Sequence, residues 1–276
     1  MNAVLRKIAA ADDAWPSDAV RLSYPDWVLE RLVADLGETD ALAALTSMNG
    51  AAPVAERADG YVQDPASQRV VDAVGARPGE RVLDLCAAPG GKATGLAGTA
   101  SVVAADVRPA RAGLVRANAE RLGLAGDALQ VVVADGQHPP FGAGTFDRIL
   151  VDAPCSGLGS LRRRPDARWR IDAEAPERLA RLQVALLEAA APLVRPGGAL
   201  VYSVCTLTRA ETVEVASTFE AAHPGWARLP APGAPWSPWG GGALLLPQVE
   251  GTDGMALFAW RRPSGATPAS EEEPHG

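Results

Sequence analysis

The stretch Asp84-Leu-Cys-Ala-Ala-Pro-Gly-Gly-Lys92 decides the fold class of this chain. It follows the short apolar run Arg81-Val-Leu, which is typical of a buried strand, and it leads into a segment that can form a helix. The pair Gly90-Gly91 lets backbone N–H groups approach a ligand closely, because no Cβ atom intervenes, and the helix start adds the positive end of a dipole. The stretch therefore predicts a strand, a tight turn and a helix that together can hold a ligand.

The composition of the turn excludes two common nucleotide-binding motifs. A phosphate-binding loop needs Lys followed by Ser or Thr with wider glycine spacing, and a dinucleotide fingerprint needs three spaced glycines. Neither pattern occurs in this stretch. The alternatives are a nucleoside cofactor such as S-adenosylmethionine, whose carboxylate and amino groups would meet the turn, and a tight corner that binds nothing.

The segments after the turn alternate between predicted strands and predicted helices. The predicted strands 102–106, 129–135 and 146–152 each end in an aspartate, namely Asp106, Asp135 and Asp152. Asp106 follows the turn by about 20 residues, where a doubly wound nucleoside site places a carboxylate against ribose hydroxyls. Any one of these aspartates could instead only cap the following helix. Together with the glycine turn they predict a nucleoside-cofactor domain whose ligand lies at one edge of a parallel sheet.

Composition indicates a globular protein with one main domain. The 276 residues are 47% hydrophobic and 21% charged, which is enough for a full core. The formal net charge of -7 means that nucleic-acid binding would need a local basic patch. The cysteines lie far apart, without metal-ligand spacing, so we expect free thiols, no metal and a cytoplasmic location. The sequence shows neither a signal-peptide pattern nor an apolar run long enough to span a membrane.

The two ends of the chain carry no predicted chemistry. Residues 25–36 place apolar side chains on one helical face before Gly37, and a linker rich in Ala, Gly and Pro follows at 49–60. We predict an N-terminal helical segment and linker over 1–59, a catalytic domain over 60–262 and a disordered tail over 263–276. In the loop 230–242, Trp236 and Trp239 could stack on a base, although packing beneath the loop is the commoner role.

Several motifs give the chain a family resemblance. The four main ones are Asp84–Lys92, Asp152-Ala-Pro-Cys-Ser-Gly157, Tyr202-Ser-Val-Cys-Thr206 and Asp253-Gly-Met255. Gln63-Asp-Pro-Ala-Ser-Gln68 and Arg162-Arg-Arg-Pro-Asp166, with Trp169, fit the same pattern in the same order. The sequence resembles the Sun/RsmB-type RNA cytosine-5 methyltransferases.

This resemblance implies a fold and an activity. The fold would be the Rossmann-like fold of S-adenosylmethionine-dependent methyltransferases, with a mostly parallel seven-stranded sheet flanked by helices and a small N-terminal helical appendage. The activity would be methylation of carbon 5 of cytosine in RNA, with rRNA or tRNA as the partner. We expect a monomer that needs neither a metal nor a membrane.

The chemistry of cytosine explains why the resemblance centres on two cysteines. Carbon 5 is too weakly nucleophilic to attack a sulfonium methyl group, so a thiolate must first add to carbon 6. By the motif match, Cys205 would be that nucleophile, and Cys155 would assist removal of the carbon 5 proton and release of the product. Asp152 would hydrogen-bond the cytosine edge. The match gives Cys86 no such role, and we expect it to be a small buried side chain with a main-chain role at the cofactor.

The resemblance also assigns the binding residues. The methionine part of the cofactor would lie against Cys86, Ala87, Ala88, Pro89, Gly90, Gly91 and Lys92. Asp106 would bind the ribose, Asp135 would lie near the adenine, and Asp152 would close the site. For RNA, the best candidate patch is the arginine-rich stretch 162–170, through phosphate contacts of Arg162, Arg163, Arg164 and Arg168. The alternative is a solvated charged loop.

The front of the chain departs from the family pattern. Pro53-Val54 is followed within a few residues by Gly60-Tyr61, where relatives carry a sizeable α/β subdomain that helps to hold RNA. Three hypotheses follow: an RNA cytosine-5 methyltransferase acting on ribosomal RNA, the same chemistry on a different or smaller pyrimidine, and a non-enzymatic RNA-binding or assembly factor. The presence of both Cys155 and Cys205 argues against the third, because a protein without catalysis has no chemical need for both.

Overall fold

A mixed β-sheet forms the centre of the protein in the computed structural model, which describes residues 6–7 and 15–265. Its strands are, in chain order, β1 (Arg81–Asp84), β2 (Ser101–Asp106), β3 (Leu129–Val133), β4 (Phe146–Asp152), β5 (Val194–Val204), β6 (Ala227–Arg228), β7 (Ser237–Trp239), β8 (Gly242–Leu245) and β9 (Met255–Arg261). The spatial order is β3-β2-β1-β4-β5-β9-β8-β7, and β6 pairs with β9. The first five strands are parallel, and the remaining pairings are antiparallel.

The predicted fold class is confirmed, with differences in detail. The sheet of the described residues has nine strands where seven were expected, because the short strands β6 and β7 extend its antiparallel part. The predicted strand 129–135 ends at Val133, so Asp135 lies beyond it. Strand β5 begins at Val194 and includes the segment 195–198, although the Pro-Gly-Gly composition of that segment is typical of a helix terminator.

Helices cover both faces of the sheet. They are α1 (Asp18–Leu22), α2 (Asp26–Leu36), α3 (Glu38–Met48), α4 (Pro65–Val74), α5 (Gly91–Ala97), α6 (Pro109–Arg121), α7 (Ala175–Ala190), α8 (Val213–Ala222) and α9 (Pro247–Glu250). Two 3-10 turns span Pro165–Trp169 and Ala191–Leu193. No helix in the described ranges is both long enough and apolar enough to cross a lipid bilayer.

The alternation of side chains along the strands divides the core in two. Val82 packs with Leu150 and with residues of α4, α5 and α6 on one face of the sheet. Leu83, which follows Val82 on β1, and Ile149, which precedes Leu150 on β4, pack on the opposite face of the sheet with residues of α7 and α8. Successive strand residues point to opposite faces, so a fully apolar strand predicts this two-sided burial.

The N-terminal helices belong to one of these two cores. Val28 and Leu32 of α2 are fully buried, and both lie in the cluster that contains Ile149 and Leu83. Gly37, at φ 87°, separates α2 from α3. The prediction of a helical packing element before residue 59 is therefore confirmed for the described residues. The rest of that prediction, at 1–5 and 8–14, lies outside them, as does most of the predicted tail, from 266 onward.

The two tryptophans of the loop 230–242 pack against the protein. Trp236 is buried, and Trp239 is half-buried with its indole N–H donating to Thr212 Oγ1 at 3.0 Å. Packing beneath the loop is thus the role that the structure gives them.

Candidate active site

The carboxyl ends of the parallel strands bring the predicted site residues to one edge of the sheet. Asp84 ends β1, Asp106 ends β2 and Asp152 ends β4. Cys205 follows directly after β5, and Cys155 lies in the loop that leaves β4. Since β1, β2, β4 and β5 are parallel neighbours, carboxylates and thiols meet where ligands bind in this architecture.

The two predicted catalytic cysteines are in contact. Cys155 Sγ and Cys205 Sγ are 3.4 Å apart, and Ser160 Oγ lies 3.6 Å from the Cys205 sulfur. A hydrogen bond from Cys155 lowers the pKa of Cys205, whereas the same hydrogen bond and burial raise the pKa of Cys155. These opposite shifts make Cys205 the sulfur that more readily becomes the thiolate.

A lysine–aspartate pair lies beside the thiols. Lys92 Nζ is 2.7 Å from Asp152 Oδ2, and Ser203 Oγ donates to Asp152 Oδ1 at 2.6 Å. Burial opposes the charge of Lys92, but Asp152 outweighs it and raises the pKa of the lysine, which stays cationic. The lysine charge also helps to lower the pKa of Cys205, although less than the bond from Cys155 does. The two side chains thus form a fixed, charged hydrogen-bonding edge next to Cys205.

Asp84 is a buried carboxyl group with no well-formed hydrogen bond. Its side chain is fully buried, and neither oxygen has good hydrogen-bond geometry with a described residue, although the Cys86 N–H is near enough to oppose the rise of the Asp84 pKa. Burial, followed by the charge of Asp152, raises the pKa of Asp84 to about 7. Asp106, also buried, accepts from the Arg108 N–H at 3.0 Å. Orphaned carboxyl oxygens of this kind suit a ligand that brings a cation or hydroxyl groups.

The glycine turn has a packing reason as well as a binding reason. Gly90 has φ +108°, and a Cβ atom there would lie 3.1 Å from Val115 Cα on α6. A Cβ atom at Gly91 would lie 3.1 Å from atoms of both Gln63 and Tyr61. The turn is therefore packed closely between α6 and the segment that begins the main domain, and a side chain at Gly90 would also be strained by the positive φ.

The main chain of the turn is fixed by its neighbours. Ala87 N–H donates to Ala105 O at 2.9 Å, while Arg111 donates to Ala88 O at 2.7 Å and Asn118 to Pro89 O at 2.9 Å. Helix α6 thus holds the outer carbonyl groups of the turn. A ligand would meet a preformed surface and not a mobile loop.

Two further predicted cofactor residues differ in their surroundings. Cys86 is partly buried, and burial together with the charge of Asp84 raises its pKa. It therefore stays a thiol, as expected for a residue with no chemistry of its own. Asp135 is exposed and lies 3.2 Å from His138 Nδ1. Its place near the adenine remains a prediction.

The arginine-rich stretch is largely internal, which corrects part of the predicted RNA patch. Arg162 is buried and donates to Asp253 Oδ1 at 3.0 Å and to Asp64 Oδ2 at 3.3 Å. Arg168 is buried with its guanidinium 4.0 Å above the ring of Tyr24. These two side chains have partners within the protein and are not free to contact phosphates.

The outward part of the stretch is smaller than predicted. Arg163 donates to the same two aspartates yet keeps 33% of its side chain exposed. Arg164 is exposed, and so is Trp169, at 61%. The arginines of the stretch that can meet RNA directly are therefore Arg163, Arg164 and Arg170, of which Arg170 pairs with the exposed Asp166 and follows Trp169.

Replacing Arg162 by alanine should destabilise the protein strongly. The change leaves Asp64 and Asp253 buried with Arg163 as their remaining partner, and breaking a buried ion pair in this way costs about 3 kcal/mol. Urea denaturation measures the loss. The exposed neighbour provides the control, because Arg164→Ala should change the free energy of unfolding by about 0.5 kcal/mol or less. Equal losses in the two variants would contradict the internal role of Arg162.

Three residues around the cysteines, Glu211, Gly159 and Gly254, have structural roles that their sequence did not predict. Glu211 is fully buried and bonded to residues next to both cysteines. Gly159 N–H donates to Cys205 O at 3.0 Å, and Gly254 N–H donates to Gly159 O at 2.7 Å. A Cβ atom at Gly159 would lie 2.5 Å from Gly254 O. The sequence indicated their importance only in that they lie within or near the quoted motifs.

Among the described residues, no group of three or more His, Cys, Asp or Glu side chains is placed to hold a metal ion.

Comparisons with known proteins show which family of sequences this chain is similar to. A family profile described as 16S rRNA methyltransferase RsmB/F matches residues 72–259. The ribosomal RNA small subunit methyltransferase B of Serratia proteamaculans is 39% identical over 256 residues, which cover 90% of this chain and 52% of that protein. This chain thus spans about half the length of the curated relatives it matches.

Two solved structures share the fold. NSun6 from Pyrococcus horikoshii, solved with SFG, is 30% identical with a TM-score of 0.65 over 73% of this chain and 53% of that chain. A methyltransferase homologue from the same organism has a TM-score of 0.71 over 90% of this chain and 100% of that chain. At 23% identity, the second likeness supports the fold alone.

Proposed function

Because the chain belongs to the RsmB/F methyltransferase family, we propose that it transfers a methyl group from S-adenosylmethionine to carbon 5 of cytosine in ribosomal RNA. The observation that carries this proposal is the 3.4 Å contact between Cys155 and Cys205 beside the pair formed by Lys92 and Asp152. A thiol pair at the edge of a methyltransferase sheet is what addition to carbon 6 and later elimination require. A methyltransferase acting on an already nucleophilic atom would need neither sulfur.

The residues at the sheet edge fit S-adenosylmethionine, the cofactor of this family. Its positively charged groups match the unpartnered carboxyl of Asp84, and its ribose hydroxyls match Asp106. The start of α5 presents the positive end of a helix at the glycine turn. When bound, the cofactor supplies an electrophilic methyl group on a charged sulfur. The predicted contacts of Asp135 and of the turn residues 86–92 remain part of the proposal.

Cys205 begins the proposed reaction. Its thiolate forms a bond to carbon 6 of the cytosine, and the electron pair of the carbon 5–carbon 6 double bond makes carbon 5 nucleophilic. Asp152, which Lys92 and Ser203 hold in place, would hydrogen-bond the cytosine edge and stabilise the charge that develops on the ring.

Carbon 5 would take the methyl group as its bond to the cofactor's sulfur breaks, leaving that electron pair on a neutral thioether. Cys155 completes the proposed reaction after this transfer. Its sulfur lies next to the Cys205–carbon 6 bond, and it would pass its thiol proton to the departing Cys205 sulfur while it accepts the carbon 5 proton in its place. The electron pair left by that proton re-forms the ring double bond and expels the Cys205 sulfur. The two cysteines thus hold different roles in one reaction, in keeping with their opposite pKa shifts.

RNA recognition in this proposal uses a small surface. Arg163 and Arg164 would contact phosphates, and Trp169 would offer a ring for stacking. We also propose that the chain divides into an N-terminal segment over 1–59, whose helices are a packed appendage, and a catalytic domain over 60–262.

The short connection between Pro53 and Gly60 favours a second candidate function, the same chemistry on a smaller pyrimidine substrate.

Methylation in vitro separates these candidates. The protein is incubated with labelled S-adenosylmethionine and, in parallel, with small-subunit rRNA from cells that lack it, with tRNA and with free cytidine. We expect label in the rRNA, and bisulfite mapping should place it on carbon 5 of cytosine. Label in free cytidine alone would overturn the RNA assignment, and label on another atom would overturn the proposed chemistry. Cys205→Ala is the control for contaminating activity.

A further inference from the structure

Glu211 is a buried carboxylate whose negative charge is stabilised by hydrogen bonds and not by a neighbouring cation. It has no exposed surface, and no Lys, Arg or His of the described chain forms a salt bridge with it. Five donors reach its two oxygens: the Ser156 N–H at 2.7 Å, Ser156 Oγ at 2.5 Å, Gln183 Nε2 at 3.2 Å, and Thr206 Oγ1 and Thr208 Oγ1 at 3.0 Å each. Burying a charge without a cation costs several kcal/mol unless donors compensate for it. Here the donors do so.

The positions of these donors point to a role beyond stability. Ser156 follows Cys155 directly, and Thr206 follows Cys205 directly. Ser156 Oγ and Thr206 Oγ1 also lie 2.9 Å from each other. The carboxylate of Glu211 is therefore a bridge between the two loops that carry the cysteines, which leave the sheet from different strands.

Other contacts anchor this bridge in the core. Tyr202, on β5, donates to the Glu211 carbonyl at 2.6 Å and to Gln183 Oε1 at 3.0 Å. Gln183 also donates to Pro154 O at 2.9 Å, one residue before Cys155. Helix α7 and both loops are thus tied to the carboxylate of Glu211, and strand β5 is tied to its carbonyl group, so movement of either cysteine would strain several hydrogen bonds at once.

We propose that Glu211 is a positioning residue for the methyl-transfer site, because it holds the loops of Cys155 and Cys205 so that their sulfur atoms stay in contact. This inference rests on the proposed function of the two cysteines. The charge of Glu211 also contributes to the raised pKa of Cys155 and so favours the thiol form at that position. The other charged groups at the pair, Lys92 and Asp152, do not contact the bridge residues Ser156 and Thr206 through any hydrogen bond in the described chain.

The substitutions Thr206→Val and Thr208→Val form a matched pair. Each removes one hydroxyl that donates to the same oxygen of Glu211 at 3.0 Å, and both side chains are fully buried. A role in stability alone predicts similar effects of the two changes. A bridging role predicts a larger effect from Thr206→Val, because only Thr206 is next to a cysteine.

The reactivity of Cys205 reports on the bridge without any RNA. When the sulfur contact loosens, Cys205 loses the hydrogen bond that lowers its pKa, so less thiolate is present at neutral pH. The rate of its alkylation by iodoacetamide, measured by peptide mass spectrometry from pH 6 to pH 9, follows that thiolate. For Glu211→Gln and Thr206→Val we expect about a tenfold slower rate at pH 7, which corresponds to a pKa higher by one. Thr208→Val should slow it by about twofold or less.

The outcomes separate this inference from the proposed function. A wild-type alkylation rate in Glu211→Gln or Thr206→Val would overturn the positioning role, and so would equal slowing by Thr206→Val and Thr208→Val. If Glu211→Gln does not fold, as urea denaturation would show, the threonine pair decides the question. Because the assay contains no RNA, its result does not depend on the identity of the substrate.

Discussion

Replacing Cys155 by alanine is expected to leave the protein covalently bonded to its RNA substrate. Addition of Cys205 to carbon 6 and methylation of carbon 5 can proceed in this variant, but the carbon 5 proton loses the thiol that assists its removal. The Cys205–carbon 6 bond then persists. The turnover rate should fall by about 10²-fold to 10⁴-fold, which is the usual contribution of a general acid–base group to the rate. The adduct is measured as a labelled RNA band that migrates with the protein on a denaturing gel.

The cysteine roles are tested by the reciprocal variants. Cys205→Ala should form no adduct, and its methyl transfer should fall by on the order of 10³-fold or more, because no other group supplies the nucleophile. The double variant should behave as Cys205→Ala does, since the bond cannot form. An equal adduct in Cys205→Ala and Cys155→Ala would reverse or remove the assignment that the motif match and the sulfur contact support.

Replacing Asp84 by asparagine is expected to change how stability depends on pH. In the folded protein the pKa of Asp84 is about 7, whereas the ordinary value is 3.8. The folded state therefore binds a proton more tightly than the unfolded state does. The contribution of Asp84 to stability is fully present below about pH 4 and is lost as pH rises through about 7. The difference between the two pKa values corresponds to roughly 4 kcal/mol.

The asparagine variant carries no titrating group at this position. Its free energy of unfolding, relative to that of the wild type, should therefore rise by up to roughly 4 kcal/mol between pH 4 and pH 8. Urea denaturation at a series of pH values measures the free energy of unfolding of both proteins. Taking the difference removes the contributions of the other titrating groups, because both proteins contain them. The exposed Asp127→Asn serves as the control and should show no such trend. A constant offset between Asp84→Asn and the wild type would contradict the raised pKa.

Asp84 shows which parts of the site the sequence could predict. A strand that ends in aspartate is a local pattern, and parallel strands bring their carboxyl ends together whatever lies between them. Asp106 and Asp152 were therefore predicted at one edge, and Asp84 fits the same pattern, whereas Asp135, predicted with them, lies beyond the end of β3. Cys205, assigned by the motif match, joins them because it directly follows the next parallel strand.

The arginine-rich stretch shows what the sequence could not predict. Its charge is obvious in the sequence, but Arg162 is neutralised by Asp64 and Asp253, which lie far away along the chain. Only the folded arrangement shows that these charges are internal. Glu211 is a similar case, because its role depends on which residues surround it and not on its own type.

The start of β5 was missed for a different reason. Arg195-Pro-Gly-Gly198 has the composition of a helix terminator, and the preceding helix does end nearby, at Ala190. The same residues also begin the strand, with an irregular register between Phe146 and Arg148 on its neighbour. Local composition predicts a break in the chain, but it does not determine how much of the break joins the sheet.

The close approach of Gly159 and Gly254 explains why the Asp253-Gly-Met255 motif contains a residue without a side chain. A methyl group at 159 would collide with the main chain at 254, and one at 254 would lie 3.1 Å from Gly159 Cα. Because neither position has a side chain, the segment between α9 and β9 packs directly on Gly159, whose N–H donates to Cys205 O. Any exchange of the loop after Cys155 would therefore need a matching change between α9 and β9, so that the two main chains still fit together.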